Sequence, residues 1–151
     1  MSDLAPLDFR QALQKEGFIV KYPVGTSMLP LLRQSVDSVV ISPITSPLEK
    51  YDVVLYEKNG HCILHRIISV KNGNYIIRGD NRLYKETDVK AGDMIGIMTG
   101  YYRKDKFREV GKSRVYGLYV SLLPVYLPLR RGYIRVRAFL GKIKRRLVKK
   151  P

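Results

Sequence analysis

Ser27 has the neighbours expected of a nucleophile. It lies in the segment GTSMLP (residues 25–30), where a glycine frees the backbone and a proline cannot donate to a β-ladder. A serine between these residues should be exposed in a turn that follows a strand. Because ordinary turns have the same composition, the segment alone predicts a turn and leaves its function open.

His65 is the residue that could activate this hydroxyl. It lies in an apolar, strand-like run (residues 62–68) that would hold its side chain rigidly. A neutral imidazole beside a serine can accept its proton during attack, and an ordinary pKa of about 6.5 suits work near neutral pH. The alternative is a strand histidine whose only role is to satisfy a hydrogen bond.

The sequence offers little for metal or thiol chemistry. His61 and His65 are four residues apart on one expected strand, so about 13 Å separates them and they cannot share a metal ion. Cys62 and His65 should point to opposite faces of that strand, and Cys62 is best explained as a small buried hydrophobe. We therefore expect no metal site and no cofactor.

Short strands and tight turns must position these residues. Residues 6–16 predict a short helix that ends at Gly17. Apolar runs predict strands at 18–22, 36–41, 51–56, 61–70, 75–78 and 94–98, and the Asn-Gly pairs at 59–60 and 72–73 predict two turns. The expected fold is mainly β, a coiled β-sheet or partly open barrel with a short N-terminal helix and a basic C-terminal helical tail.

Charge is distributed unevenly along the 151 residues. Residues 1–102 hold 12 Lys/Arg and 11 Asp/Glu, a net charge of +1, whereas residues 103–151 hold 16 and 2, a net charge of +14. The chain should therefore divide into an N-terminal helix (1–17), a nearly neutral β domain (18–102) and a basic amphipathic region (103–151).

The basic region is open to three interpretations. Residues 103–114 predict a charged connector, and residues 116–129 are apolar but interrupted by Pro124 and Pro128. Residues 130–150 hold ten basic residues and no acidic one, with apolar residues at helical spacing: Val136, Leu140, Ile143 and Leu147. Such a helix suits an anionic membrane surface. Nucleic-acid binding, and packing of the apolar residues on the body with solvated cations, are the alternatives.

We expect a cytoplasmic location, with peripheral attachment to the membrane through the basic region. Charged residues interrupt every apolar run near the N-terminus, unlike an export signal. The longest apolar stretch has about 14 residues, fewer than the roughly 20 that a spanning helix needs. Cys62 is the single cysteine, which excludes an internal disulfide and fits a reducing compartment.

Five short segments follow one another along the chain: GTSMLP (25–30), YDVV (51–54), HRII (65–68), RGDN (78–81) and IG (95–96). In this order they resemble the motifs of type I signal peptidases and of their relatives, the self-cleaving SOS-response repressors. The resemblance covers residues 20–99. It implies a signal peptidase type of coiled sheet in the 18–102 domain, with Ser27 as nucleophile and its backbone N–H as oxyanion donor.

The resemblance also implies the partners of Ser27. His65 stands where endoplasmic-reticulum and archaeal-type signal peptidases have a histidine base and bacterial members a lysine. An acid a few residues beyond the Gly-Asp-Asn motif would orient the imidazole. Asp88 is the nearest match, Asp80 within the motif is the alternative, and Glu86 is third. Asp80 has another implied role, an ion pair with Arg66.

Two further features concern the surroundings of Ser27. Met28 follows the nucleophile and is a candidate for the substrate pocket, although a methionine in a turn is as often simple packing. Gly25 stands where bacterial relatives have a hydroxyl, so that donor is absent.

The resulting hypothesis is a serine endopeptidase that resembles signal peptidases and cleaves a precursor or leader peptide with a Ser-His dyad or triad. The sequence shows no apolar stretch like the transmembrane helices of signal peptidases. The repressors have an Ala-Gly or Cys-Gly cleavage site before the protease domain, whereas only Glu16-Gly17 precedes the β domain here. The alternative is a non-catalytic basic module on the same fold that binds a membrane surface or nucleic acid.

Overall fold

The computed structural model describes residues 6–148, with side chains described for residues 8–143. Its fold is mainly β, since 37% of residues lie in strands and 31% in helices. An antiparallel sheet curls into a half-barrel, with a short helix before it and a long helix behind it. The fold class expected from the sequence is confirmed.

Residues 6–148 form two α-helices and eight strands, with a 3₁₀ turn at Ala91–Asp93. In chain order they are α1 (Pro6–Glu16), β1 (Ile19–Lys21), β2 (Asp37–Ser42), β3 (Val53–Lys58), β4 (His61–Lys71), β5 (Asn74–Arg78), β6 (Glu86–Lys90), β7 (Met94–Arg103), β8 (Lys106–Glu109) and α2 (Arg114–Val148).

The strands form one antiparallel sheet in the order β1-β2-β7-β3-β4-β5-β6, and β8 pairs with β7. Both Asn-Gly turns occur as predicted, after β3 and after β4. Their four residues have positive φ angles between 49° and 76°, which asparagine and glycine adopt most readily. These turns fix the register of β3, β4 and β5.

The curled sheet has two apolar clusters. One cluster lies under α1 and the serine turn and includes Phe9, Leu13, Met28 and Leu32. The other lies on the opposite face of β3; its buried members are Leu48, Val54, Tyr56, Ile67, Ile77, Val89 and Met94. Tyr56 and Val54 alternate with Val53 and Leu55 of the first cluster, so β3 has apolar side chains on both faces.

Two strands lie where the sequence predicts none. Residues 103–114 were expected to be a charged connector, but Lys106–Glu109 pair with β7 as β8 and extend the sheet past residue 102. Glu86–Lys90 form β6 at the sheet edge, with Val89 as their one buried residue. Both strands are polar because their outer faces meet solvent, so hydrophobic alternation does not reveal them.

The C-terminal region is one continuous helix from residue 114 to residue 148. The prediction that its prolines interrupt it is wrong. Pro124 and Pro128 lie inside α2, and both are exposed. A proline removes one i to i−4 hydrogen bond, but on an exposed face water can satisfy the carbonyl that is left. Tyr116, Leu123 and Leu127 of the same segment are buried against the body, which stabilises the helix across the prolines.

Helix α2 is joined to the sheet by polar contacts as well. Tyr119 donates a 2.7 Å hydrogen bond to Asp80 Oδ2, and the Arg66 guanidinium lies 3.2 Å from the Tyr116 hydroxyl. Among residues 6–148, no helix has both the length and the apolar character needed to cross a membrane.

Candidate active site

Ser27 lies in a turn that is held by the loop after β5. The turn follows Gly25, whose φ of +81° lies in the left-handed region that favours glycine, and its Leu29-Pro30 peptide is cis. The Asn81 N–H donates to Ser27 O at 2.8 Å, and Asn81 Nδ2 donates to Thr26 O at 3.0 Å. Two hydrogen bonds from a single residue therefore fix the backbone on which the serine stands.

Gly79 lets the serine turn and the histidine approach each other. A Cβ at this position would stand 2.7 Å from Ser27 O and 2.9 Å from His65 Nε2, closer than real contacts allow. Both atoms therefore lie within 3 Å of one point. The close approach explains why this position has no side chain.

The other nitrogen of His65, Nδ1, meets a tyrosine and an acid. It lies 3.2 Å from the Tyr56 hydroxyl and 3.4 Å from Glu86 Oε1. The Tyr56 hydroxyl in turn donates a 2.6 Å hydrogen bond to Glu86 Oε1. Tyr56 lies on β3 and His65 on the neighbouring β4, whereas Glu86 is the first residue of β6.

This network assigns the tautomer of His65. Tyr56 has one hydroxyl hydrogen, which its short bond to Glu86 uses, so its oxygen can only accept from the imidazole. Nδ1 must then carry the hydrogen, and Nε2 keeps a lone pair on the side of Gly79 and Ser27. That is the tautomer a general base requires.

The ionisation states agree with this assignment. Burial lowers the pKa of His65, and the nearby Glu86 charge only partly opposes this effect, so the imidazole is neutral at pH 7. Burial disfavours the charged form of Glu86, but hydrogen bonds from Tyr56 and Lys58 outweigh it and lower its pKa. Burial and Glu86 raise the pKa of Tyr56, which stays protonated and remains a donor.

The three candidate acids have different partners. Asp88 is exposed and pairs with Lys58 at 3.1 Å, whereas Asp80 is buried and binds Arg66 through both its oxygens at 2.8 and 2.9 Å. Glu86, the third candidate from the sequence, is the acid that contacts His65. Neither Asp88 nor Asp80 contacts the imidazole, because β6 directs Glu86 inward and Arg66 occupies Asp80.

Sequence reasoning did not find Tyr56 and Lys58. Lys58 lies 3.0 Å from Glu86 Oε2, and its carboxylate partners raise its pKa, so it stays charged and positions Glu86. The pairing of β3 with β4 places Tyr56 two residues along the ladder from His65, whereas Lys58 lies opposite His61 and reaches the site through Glu86. A tyrosine two residues before a lysine on an apolar strand gives no local indication of such a role.

Ser27 and His65 both line a cleft of about 370 Å³. Its walls are the serine turn, the start of β4, and Arg82 with Tyr84. Met28 lines the cleft as the sequence predicts, and at 3% exposed it is also part of the core. The described lining contains no lysine, so no lysine amine is placed to act as a base there.

One wall of the cleft is an open strand edge. In the ladder between β4 and β5, pairing starts at Arg66, so within the described chain residues 61–65 pair only with β3. All five of these residues line the cleft. Their second edge offers backbone hydrogen-bonding groups to an extended chain.

Ser27 itself has few partners among residues 6–148. No described group accepts from its backbone N–H, which leaves that donor free for an oxyanion. Its hydroxyl makes no hydrogen bond to His65 within the described chain. Catalytic hydrogen bonds are often long or poorly aligned until substrate binds, so the absence of this bond is compatible with Ser27 and His65 acting as a catalytic pair. The described residues include no group of three metal-ligating side chains.

The chain was compared with protein-family models and with curated proteins. No family model matches the sequence, and no curated protein matches it either.

Proposed function

We propose that the chain is a serine endopeptidase of the signal peptidase-like type, with Ser27 as nucleophile and His65 as general base. The observation that carries this proposal is the hydrogen-bond network on Nδ1. It leaves Nε2 with a lone pair beside the serine turn, inside a cleft that Ser27 also lines. The five sequence motifs support the same assignment.

The reaction would proceed by acyl transfer. His65 Nε2 takes the Ser27 hydroxyl proton as Oγ attacks the carbonyl carbon of the scissile bond, and the Ser27 N–H stabilises the oxyanion. The imidazolium then gives its proton to the leaving amine, and water hydrolyses the acyl-enzyme with His65 again as base. The negative charge of Glu86 stabilises the imidazolium, directly and through Tyr56.

The open edge of β4 suggests the substrate class. An extended polypeptide could pair with residues 61–65 as an added strand, which would bring its backbone past Ser27. A folded surface could not do so. We therefore propose that the substrate is an extended segment of another polypeptide, such as a precursor or leader peptide.

The test is mass-spectrometric profiling of a peptide library with the wild-type chain, Ser27→Ala and Ser46→Ala. Ser46 lies exposed in a loop and serves as the matched serine control. We expect cleavage with wild type and Ser46→Ala, and none with Ser27→Ala at unchanged thermal stability. Cleavage that persists in Ser27→Ala would refute the proposal. No cleavage by any variant would favour a non-catalytic binding module.

The pH dependence separates a histidine base from a lysine base. Because the pKa of His65 is lowered, activity should rise with a midpoint below the ordinary histidine value of about 6.5. A rise that begins only near the lysine range would contradict the assignment of His65.

A further inference from the structure

A second cavity, of about 200 Å³, lies between α2 and the sheet and shares no residue with the cleft. Four of its ten lining residues are cationic, and none is acidic. The four are Lys50, Arg78, Lys85 and Arg131. The rest of the lining is mainly apolar, including Leu123, Pro124, Leu127 and Pro128 of α2.

Arg78 is a buried cation without an ion-pair partner among the described residues. It is 3% exposed, and its Nε has no hydrogen-bond partner within the described chain. Burial and the charge of Arg131 lower the pKa of Arg78, and the charge of Asp80 opposes this only in part, since both Asp80 oxygens bind Arg66. Arg131 also has a buried Nε without a partner in the described chain. A buried guanidinium that lacks an acceptor is costly, so the cavity is chemically suited to an anion. Phosphate oxygens match the geometry of paired guanidinium groups.

Helix α2 also carries a row of exposed apolar side chains, here called the apolar stripe. Its members recur every three or four residues, so they share one helix face. They are Leu118, Leu122, Val125, Leu129, Tyr133, Val136, Leu140 and Ile143, each between 38% and 68% exposed. The stripe begins twelve residues before the basic segment in which the sequence predicts a membrane helix, because the expected break at the prolines is absent.

The apolar stripe faces away from the protein body. At 100° per residue, Tyr116, Leu123 and Leu127, which are buried, lie on the opposite side of the helix from Leu129 and Val136, which are exposed. A flat surface could therefore approach the stripe without meeting the sheet. Pro124, Pro128 and Arg131 lie on the flank between the two faces, so the cationic cavity lies beside the stripe.

Charge decides which surface fits the stripe. Helix α2 contains nine Lys/Arg and no Asp/Glu, and Arg135, Arg137 and Lys142 are exposed beside its free C-terminal half. Two copies of this helix would bring like charges together, which disfavours a second copy as the partner. An anionic bilayer satisfies both the apolar row and its basic flanks.

We propose that α2 docks on an anionic phospholipid surface, with the apolar stripe at the acyl boundary and a lipid phosphate bound in the cavity by Arg78 and Arg131. This inference goes beyond the proposed peptidase and does not depend on it, because its readout is binding. Asp80 and Asn81 contact the opposite face of α2, so the edge of the active site would lie about one helix diameter, about 10 Å, from the lipid.

The first arm of the test measures the stripe by co-sedimentation of the full chain with vesicles. Val125→Asp with Val136→Asp alters the stripe, and Val36→Asp with Val70→Asp makes the same chemical change at exposed valines of the body. On phosphatidylglycerol/phosphatidylcholine vesicles we expect the stripe variant to bind at least about tenfold more weakly, the equivalent of about 1.4 kcal/mol. The body variant should bind like wild type.

The second arm measures the cavity with a matched pair of arginines. Arg131→Gln removes a cavity cation, and Arg135→Gln removes the same charge from an exposed position on the same helix. Arg131→Gln should weaken vesicle binding more. Inorganic phosphate should raise the unfolding temperature of wild type and Arg135→Gln but not of Arg131→Gln.

Each outcome bears on the proposal. The proposal is supported if the stripe variant loses vesicle binding while the body variant keeps it, and if Arg131→Gln weakens vesicle binding more than Arg135→Gln does. Equal binding by both double variants, or no preference for phosphatidylglycerol over pure phosphatidylcholine, overturns it. Stabilisation by phosphate without vesicle binding would make the cavity a site for a soluble phosphate, and self-association that needs the stripe would assign the stripe to a second copy; both results refute the lipid proposal.

Discussion

Glu86→Gln tests directly how His65 is held. The change keeps the size of the side chain but removes the negative charge 3.4 Å from Nδ1. Burial lowers the pKa of His65 and Glu86 raises it, so the variant should have a still lower His65 pKa. The imidazolium that forms during attack would lose its counter-charge, and catalysis should slow at every pH.

The expected size follows from the charged and neutral groups that face Nδ1. Glu86 supplies the counter-charge at 3.4 Å and accepts the hydrogen bond of Tyr56. An interaction of this kind with a charged group contributes about 1.5–3 kcal/mol, so Glu86→Gln should reduce kcat/KM by roughly 13- to 160-fold. Tyr56→Phe removes a neutral contact worth about 0.5–1.5 kcal/mol, which corresponds to roughly 2- to 13-fold. Asp88→Asn also removes one negative charge, but from an exposed partner of Lys58, and should change neither rate nor titration appreciably.

The tautomer and the pKa of His65 can be measured without a substrate, because NMR can follow the imidazole itself. The chain has two histidines, so a His61→Gln background leaves His65 as the single imidazole signal. Its nitrogen shifts should show the Nδ1–H tautomer, and its titration midpoint should fall in Glu86→Gln. An Nε2–H tautomer in the wild type, or an equal shift in Asp88→Asn, would refute the assignment of Glu86.

Two further changes probe the supports of the site. Gly79→Ala places a methyl group 2.9 Å from the imidazole Nε2 and should abolish cleavage in a folded protein, whereas Gly92→Ala, where no atom lies within 4 Å, should not. Equal activity of the two variants would contradict the close approach. Asp80→Asn leaves the fully buried Arg66 without its charge partner and should cost about 3–5 kcal/mol in urea unfolding; a loss as small as that of Asp88→Asn would show that the pair is not structurally important.

The sequence was sufficient to predict the mainly β fold because the turns that determine it depend on residues adjacent in sequence. Asn59-Gly60 and Asn72-Gly73 each determine a turn through the φ angles of two adjacent residues. The two turns fix the meander of β3, β4 and β5, on which His65 lies. The serine turn is equally local, since Gly25 and Pro30 restrict the backbone around Ser27.

The acid beside His65 could not be predicted in the same way. Its position depends on β6, which has only Val89 as a buried residue and so shows no hydrophobic alternation. The ladder places Glu86 opposite Ile77, nine residues away in sequence, and this register rather than any motif spacing directs its carboxylate to Nδ1. Motif spacing alone favours Asp88 or Asp80, both of which have other partners.

For α2 the prediction from sequence is wrong for the opposite reason, because it relied too strongly on a local rule about proline. Proline disfavours a helix interior, so Pro124 and Pro128 predicted a break. The burial of Leu123 and Leu127 on one face of the helix outweighs that cost. The expected break concealed the apolar stripe, because a helix that starts at residue 130 contains only its last members.

The continuity of α2 connects the two proposed sites physically. Arg130 donates to Asn81 Oδ1 at 3.2 and 2.7 Å, and Asn81 donates to the carbonyl groups of Thr26 and Ser27. Arg130 is therefore linked to the serine turn through Asn81. The apolar stripe lies on the opposite face of the same helix turns, so the helix that we propose to meet lipid also contacts the loop that holds the backbone of Ser27. A peptidase built in this way would have its nucleophile ordered by the same helix that brings it to the membrane.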